Sequence, residues 1–197
     1  MCFILRELAL HPEVQEKLAK EIKNDSLKNE GKIDYSSMHS LPYLDMVVAE
    51  ALRLWPTGFL LDRECTKDYN LGKPNDKTNK EYIIRKGEQV MIPLWSIQRD
   101  PEYYPEPDKF DPERFSNENK HKIKPMAYLP FGAGPRNCVG SRFALFLIKM
   151  WVYQLLLHWQ VSPSEKTVKT PKFSLKSFNL AIEGGHWLNF TPREKDM

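Results

Sequence analysis

Apolar residues recur every fourth position at Val14, Leu18 and Ile22, behind a proline at Pro12 that suits a first helical turn. Residues 12–23 are therefore expected to form an amphipathic helix. A polar loop from Asn24 to Lys32 leads to a second helix, with Ser40 as N-cap, Pro42 in the first turn and an end near Leu54, before Pro56. Residues 59–69 and 82–92 have the shorter alternation of strands, the second folding at Arg85-Lys86-Gly87-Glu88, with a polar excursion from Asn70 to Lys80 between them. Seven of the fifteen prolines then fall between Pro93 and Pro130. That density excludes regular helix and central strand, and predicts a long irregular segment held by side chains. Such loops in compact chains are usually functional. After a glycine-rich loop at 131–140, residues 141–158 are apolar around most of the circumference, as in a buried helix. Phe173 to Phe190 alternates and breaks at Gly184-Gly185, which suits a terminal hairpin. There is no internal repeat. The pattern predicts a mainly α fold with small β-sheets (α+β), in one domain spanning 1–197.

Composition narrows the function classes. With 197 residues, 41% apolar and 28% charged, the chain can bury a full core. Its 29 basic and 26 acidic residues are spread evenly, which excludes the basic stripe of a nucleic-acid binder. Cys2, Cys65 and Cys138 are too few and too far apart for a disulfide framework or a zinc cluster, so a reducing environment is expected. The opening apolar run is cut short by Arg6 and Glu7, unlike a signal peptide or anchor. The stretch from Phe143 to Leu157 is interrupted by Lys149 and Gln154 and falls short of a bilayer span.

The candidate chemistry lies in Phe131-Gly-Ala-Gly-Pro-Arg-Asn-Cys-Val-Gly140, a cysteine in a glycine-rich turn at the start of a helix. Gly132, Gly134 and Gly140 permit backbone conformations and close approaches needed where a chain meets a flat group. A helix N-terminus directs amides and positive dipole at the sulfur and favours the metal-binding thiolate. Arg136 is placed to meet an anionic cofactor group, and Phe131 to shield the sulfur from water. On its own, Cys138 would read as a small buried apolar residue in a shaped turn. Its fixed neighbours reverse that preference.

The segment resembles the haem-ligand signature of the cytochrome P450 family, F-G-x-G-x-R-x-C-x-G, with Phe131, Gly132, Gly134, Arg136, Cys138 and Gly140 all in place. The resemblance implies that Cys138 ligates the iron of haem b (iron protoporphyrin IX), with the other five residues around the cofactor and Arg63 pairing with a haem propionate. Glu50 and Arg53 share a helix face three residues apart, and alone would read as an ordinary surface ion pair. In the family, E-x-x-R is a second signature and Pro112-Glu-Arg-Phe115 a third, which implies that Arg114 joins Glu50 and Arg53 in a structural network locking the proline-rich segment. Thr57, Phe59 and Leu60, and Phe178, Asn179 and Leu180, occupy positions resembling substrate-contacting loops. Their apolar character suits a lipophilic small molecule. Lys120, Lys122, Lys124, Arg142 and Lys149 lie near the loop in sequence; such a charge run is more often solvated surface, and the alternative is a basic face that docks a flavoprotein donor.

The resemblance covers essentially the whole chain, while family members are more than twice as long. It therefore implies the C-terminal part, incomplete, of a eukaryotic microsomal-type cytochrome P450 fold. The intact family inserts one oxygen atom of O2 into its substrate, with electrons from NADPH through NADPH-cytochrome reductase. It does so at the cytoplasmic face of the endoplasmic reticulum membrane, held by an N-terminal anchor that is not expected within these 197 residues. No residue of this chain is assigned as catalytic, and the chain alone is expected to turn over little. The rival expectation is a non-catalytic truncated fragment that binds haem or engages a reductase.

Overall fold

Apolar stripes on four helices meet in one core, and the computed structural model describes them within residues 1–33, 38, 40–174, 176 and 180–193. Helices α1 (Cys2–Leu10), α2 (Pro12–Lys28), α3 (Pro42–Leu54) and α5 (Ser141–His158) bury Leu8, Leu18, Ile22, Leu44, Val47, Val152 and Leu156 completely. Between α3 and α5 come β1 (Leu61–Glu64), β2 (Tyr69–Gly72), β3 (Tyr82–Ile84), β4 (Gln89–Ile92) and a single turn of helix, α4 (Leu94–Ile97). Strands β5 (Trp159–Pro163) and β6 (Leu188–Pro192) close the chain.

The helix α1 escaped the pattern because charge interrupts it. Arg6 and Glu7 lie within the buried part of the helix, joined to each other at 2.8 Å, with Arg6 also donating to the carbonyls of Val168 and Lys169. The next helix, α2, runs five residues past the expected end at 23, to Lys28. That extension brings the Asp25 carboxylate to accept from the Tyr153 hydroxyl of α5 at 3.0 Å. At α3 the expected N-cap shifts from Ser40 to Leu41, with Pro42 in the first turn as expected. Its free amides are met from another helix: Tyr43 and Leu44 each donate to the Glu21 carboxylate of α2 at 2.9 Å.

Strands β1, β3 and β4 fall within the expected runs, whereas β2 extends into the stretch expected to be a polar excursion; they pair as two short antiparallel sheets, β1 with β4 and β2 with β3. The turn at 85–88 passes from one sheet to the other, with Gly87 at φ +88°, a conformation that favours glycine. As anticipated, the proline-rich segment is irregular beyond α4, with 3-10 turns at Pro112–Phe115 and Lys120–Lys122.

Two expectations need correction. Helix α5 has the anticipated bounds but is not buried around its circumference, since Phe143 and Trp151 are 67% and 58% exposed. The hairpin expected at Phe173–Phe190 does not extend to its far end: among the described residues one bridge joins Phe173 to Ile182, while β6 pairs along its whole length with β5, Trp159 opposite Pro192 and Pro163 opposite Leu188. The physical reason is Val161, 2% exposed and fixed by Gln15, which gives β6 a partner already seated on the core. Among the described residues no helix is long and apolar enough to cross a membrane.

Candidate functional site

The cysteine loop is built by its own backbone. Gly132 N–H donates to Leu129 (3.0 Å), Asn137 N–H to Gly134 (3.1 Å) and Cys138 N–H to Phe131 (2.9 Å), which folds residues 129–138 into a closed turn. Gly132 and Gly134 sit at φ +73° and +75°, so both are required by conformation. Gly140, at φ −87°, needs no special conformation, so close approach is the remaining reason for a glycine there. A Cβ there would meet no atom within 4 Å, so within this chain its lack of a side chain leaves open space beside Cys138.

Cys138 lies three residues before α5, with its backbone carbonyl accepting from Ser141 at 3.3 Å. The residue is exposed, as are its neighbours Val139, fully, and Phe143. Phe131, by contrast, packs half-buried against the core. Arg63, on β1, reaches the loop: one guanidinium nitrogen donates to Asp62 at 2.6 Å and the other approaches the Arg136 carbonyl at 3.5 Å. Leu61 of the same strand packs beside Gly132. Arg136 is itself exposed. Strand β1 and the loop thus hold two guanidinium groups near an exposed thiol.

Beneath the loop, Glu50 and Arg53 are wholly buried, not on the surface as their spacing alone suggests. Arg53 donates to both carboxylate oxygens of Glu50, at 2.6 and 2.8 Å, and to the carbonyls of Gln98 (2.8 Å) and Lys109 (3.3 Å). Asp111 N–H donates to Glu50 at 2.9 Å, and Arg114 Nε stands 3.5 Å from it while its Nη2 donates to the Glu106 carbonyl at 2.9 Å. Burial pushes the Glu50 carboxyl upward against these donors. All of its contacts are donors, so the carboxylate form satisfies them. Arg53 also lies over the Tyr104 ring, 4.9 Å from its centre. The irregular segment is therefore tied to α3 by charge-assisted bonds in place of a ladder.

Sequence reasoning missed Gln98, Arg99 and Tyr128. Gln98 is wholly buried and bridges α3 to Leu129, Arg99 donates to the Leu54 carbonyl, and the Tyr128 hydroxyl donates to Ala49 at 3.1 Å. A polar side chain in a polar loop gives no periodic signal, so none of the three could be singled out.

The expected substrate positions divide. Thr57 and Leu180 line one cavity of about 370 Å³, together with Leu52, Trp55, Ile148 and His186. Phe59 and Leu60 are not among its lining residues; the Phe59 carbonyl accepts from Trp95 at 3.1 Å, and Leu60 is 37% exposed. Phe178 and Asn179 fall outside the described residues. At the cavity wall Trp55 stacks on Phe3 at 4.6 Å and donates to Glu7 at 3.1 Å. His186 meets Phe3 edge-on at 4.8 Å, and burial followed by the charge of Arg6 pulls its pKa down.

The basic face contracts. Lys149 is 8% exposed and paired with Asp45, and Lys124 is paired with Glu102 at 2.9 Å. Lys120 and Lys122 bond to Asn117 and Asn119, and Arg142 is exposed. Among the described residues no three His, Cys, Asp or Glu side chains gather where they could hold a metal ion. A metal here would depend on one protein ligand and a cofactor that supplies the rest.

A helical core with small antiparallel sheets that exposes one cysteine at a helix start suits a cofactor-binding segment. A cytochrome P450 family model matches residues 1–188. Cytochrome P450 9e2 of Blattella germanica is 46% identical over 193 residues, covering 98% of this chain and 35% of its own length. Cytochrome P450 9b2 of Drosophila melanogaster is 39% identical over 195 residues, covering 98% and 38%. Cytochrome P450 3A25 of Mus musculus is 47% identical over 164 residues, covering 83% and 31%. The chain belongs to the cytochrome P450 family. It spans about a third of the length of these curated relatives.

Proposed function

We propose that this chain supplies the thiolate side of a haem monooxygenase site, in which Cys138 would hold the iron of haem b. The observation that carries the reading is an exposed cysteine at the start of α5, flanked by exposed Val139 and Phe143 and by Arg63 and Arg136. The residues fit the group: Val139 and Phe143 would offer apolar surface to a macrocycle, Gly140 would leave room for it, and the guanidiniums of Arg63 and Arg136 could pair with its carboxylates. Bound haem would supply the redox centre for dioxygen chemistry, to which a thiolate ligand would add electron density. Cys138 provides that density, the backbone turn of 129–138 fixes its position, and Phe131 shields the loop from water on the core side. Glu50, Arg53 and Arg114 hold the proline-rich segment against α3 and carry no proton in the reaction.

The whole protein inserts one oxygen atom of O2 into a lipophilic small molecule. Thr57 and Leu180, on the apolar-lined cavity, contact that molecule in this chain. Electrons reach the iron from NADPH through a flavoprotein reductase, docked with the help of Lys120, Lys122 and Arg142. The whole protein works at the cytoplasmic face of the endoplasmic reticulum membrane, as a microsomal-type member does.

Reconstitution with haemin tests the reading. After reduction under carbon monoxide the chain should give the red-shifted Soret band of thiolate ligation, and Cys138→Ser should abolish it. A band of equal size in Cys138→Ser, or none in the unaltered chain, would refute it.

A further inference from the structure

We infer that Gln98 is a positioning residue for the cysteine loop, relaying the end of α3 to Leu129. The inference rests on the reading of Cys138 as haem ligand only for its spectroscopic consequence. A helix ends with four carbonyls that lack partners inside it. At α3 these are Ala51, Leu52, Arg53 and Leu54. The Trp55 amide takes the first, Arg99 takes the last, and the Gln98 side-chain amide takes the middle two, at 3.2 and 3.0 Å. Its backbone carbonyl in turn accepts from Arg53 at 2.8 Å. One residue therefore caps the helix and steadies the buried ion pair.

The other side of the same amide faces the loop. Gln98 Oε1 accepts from Leu129 N–H at 2.8 Å, and the Leu129 carbonyl accepts from Gly132 at 3.0 Å, where the loop turns back toward Cys138. Pro130, with no N–H, follows Leu129 directly, so the Leu129 amide is the last backbone donor before Phe131. Glutamine is suited to this place because it donates and accepts from one rigid group. Glutamate would set a carboxylate against two carbonyls, with Arg53 and Arg99 as the nearest cations and Glu50 opposing it. Leucine would leave all three partners unmet. Neutral histidine, with one donor and one acceptor across the ring, can keep the Leu129 bond and one of the two carbonyl bonds.

Gln15 gives a matched control. It is 1% exposed and bridges in the same manner, donating to Leu8 and Val161 and accepting from the Val161 amide, but it joins α2 to α1 and β5 without touching the loop. Amide hydrogen exchange on the cofactor-free chain is the first readout. Gln98→Leu should raise exchange at Leu129, Gly132 and Cys138 by about tenfold or more, the scale set by unmet buried polar groups. Gln15→Leu should leave those amides as they were, and Gln98→His, which can still accept from Leu129, should restore part of the protection. In the haemin-loaded chain, Gln98→Leu should then shift the ferrous carbonyl spectrum away from the thiolate band, while Gln15→Leu, at comparable loss of thermal stability, should keep it. Unchanged exchange at Leu129 in Gln98→Leu overturns the inference, as does equal loss of the thiolate band in both leucine variants. Absence of that band in the unaltered chain would refute the haem reading, and the exchange data would still decide the role of Gln98.

Discussion

Arg53 shows how a common residue pair acquires a different meaning when it is buried. Its guanidinium fills both oxygens of Glu50 and two backbone carbonyls, with no part of it in solvent. Arg53→Ala removes the bidentate partner of Glu50 and leaves only Arg114, at 3.5 Å, and the Asp111 amide to offset a buried charge; it should cost about 3–5 kcal/mol in a denaturant titration. It should also abolish stable haem incorporation, because the segment leading to the loop loses its anchor. A second residue-scale effect belongs to His186, whose Nδ1 is buried with no partner among the described residues. Its pKa is lowered by burial and by Arg6, so in the folded chain it binds a proton less readily than in the unfolded chain. Stability should therefore be complete above the usual histidine value of about 6.5 and fall as pH drops through it. His186→Phe, which keeps the ring against Phe3, should flatten thermal melting between about pH 7 and pH 5; an unchanged slope would contradict this.

At the scale of elements, most of the framework is legible in the sequence, and the exceptions have particular causes. The bounds of α3 and α5 follow from Pro42, Pro56 and the glycine-rich loop, because chain-terminating chemistry acts locally. The loop itself is legible because Gly132 and Gly134 need a conformation that few residues adopt. Charge hides α1, since Arg6 and Glu7 read as solvent-facing until each is seen to neutralise the other. Strand pairing was misread at β6 because alternation identifies a strand without naming its partner. The hubs at Gln15 and Gln98 leave no pattern at all, being defined by backbone groups distant in sequence. The cap on α3 is equally non-local: Glu21 stands two decades of sequence before the amides it receives. Glu21→Ala should cost about 1 kcal/mol, as loss of a cap does, with exchange rising first at Tyr43 and Leu44. Uniform exchange along α3 would argue that the cap is idle.

For the molecule as a whole, the helical core and the cysteine loop are one mechanical object. Helix α3 carries Glu50 and Arg53, receives Gln98 and Tyr128, and through Leu129 sets the loop that ends at Cys138. A ligand bound only by the folded chain should stabilise it, by about 2.7 kcal/mol at a hundredfold excess over its dissociation constant. Haemin should accordingly raise the melting temperature of the unaltered chain and raise that of Cys138→Ser by less. X-ray absorption at the iron edge of the haemin-loaded chain reports whether this loop presents its sulfur to iron. One sulfur neighbour should appear in the unaltered chain and be lost in Cys138→Ser; only nitrogen and oxygen neighbours in the unaltered chain would rule out ligation by Cys138.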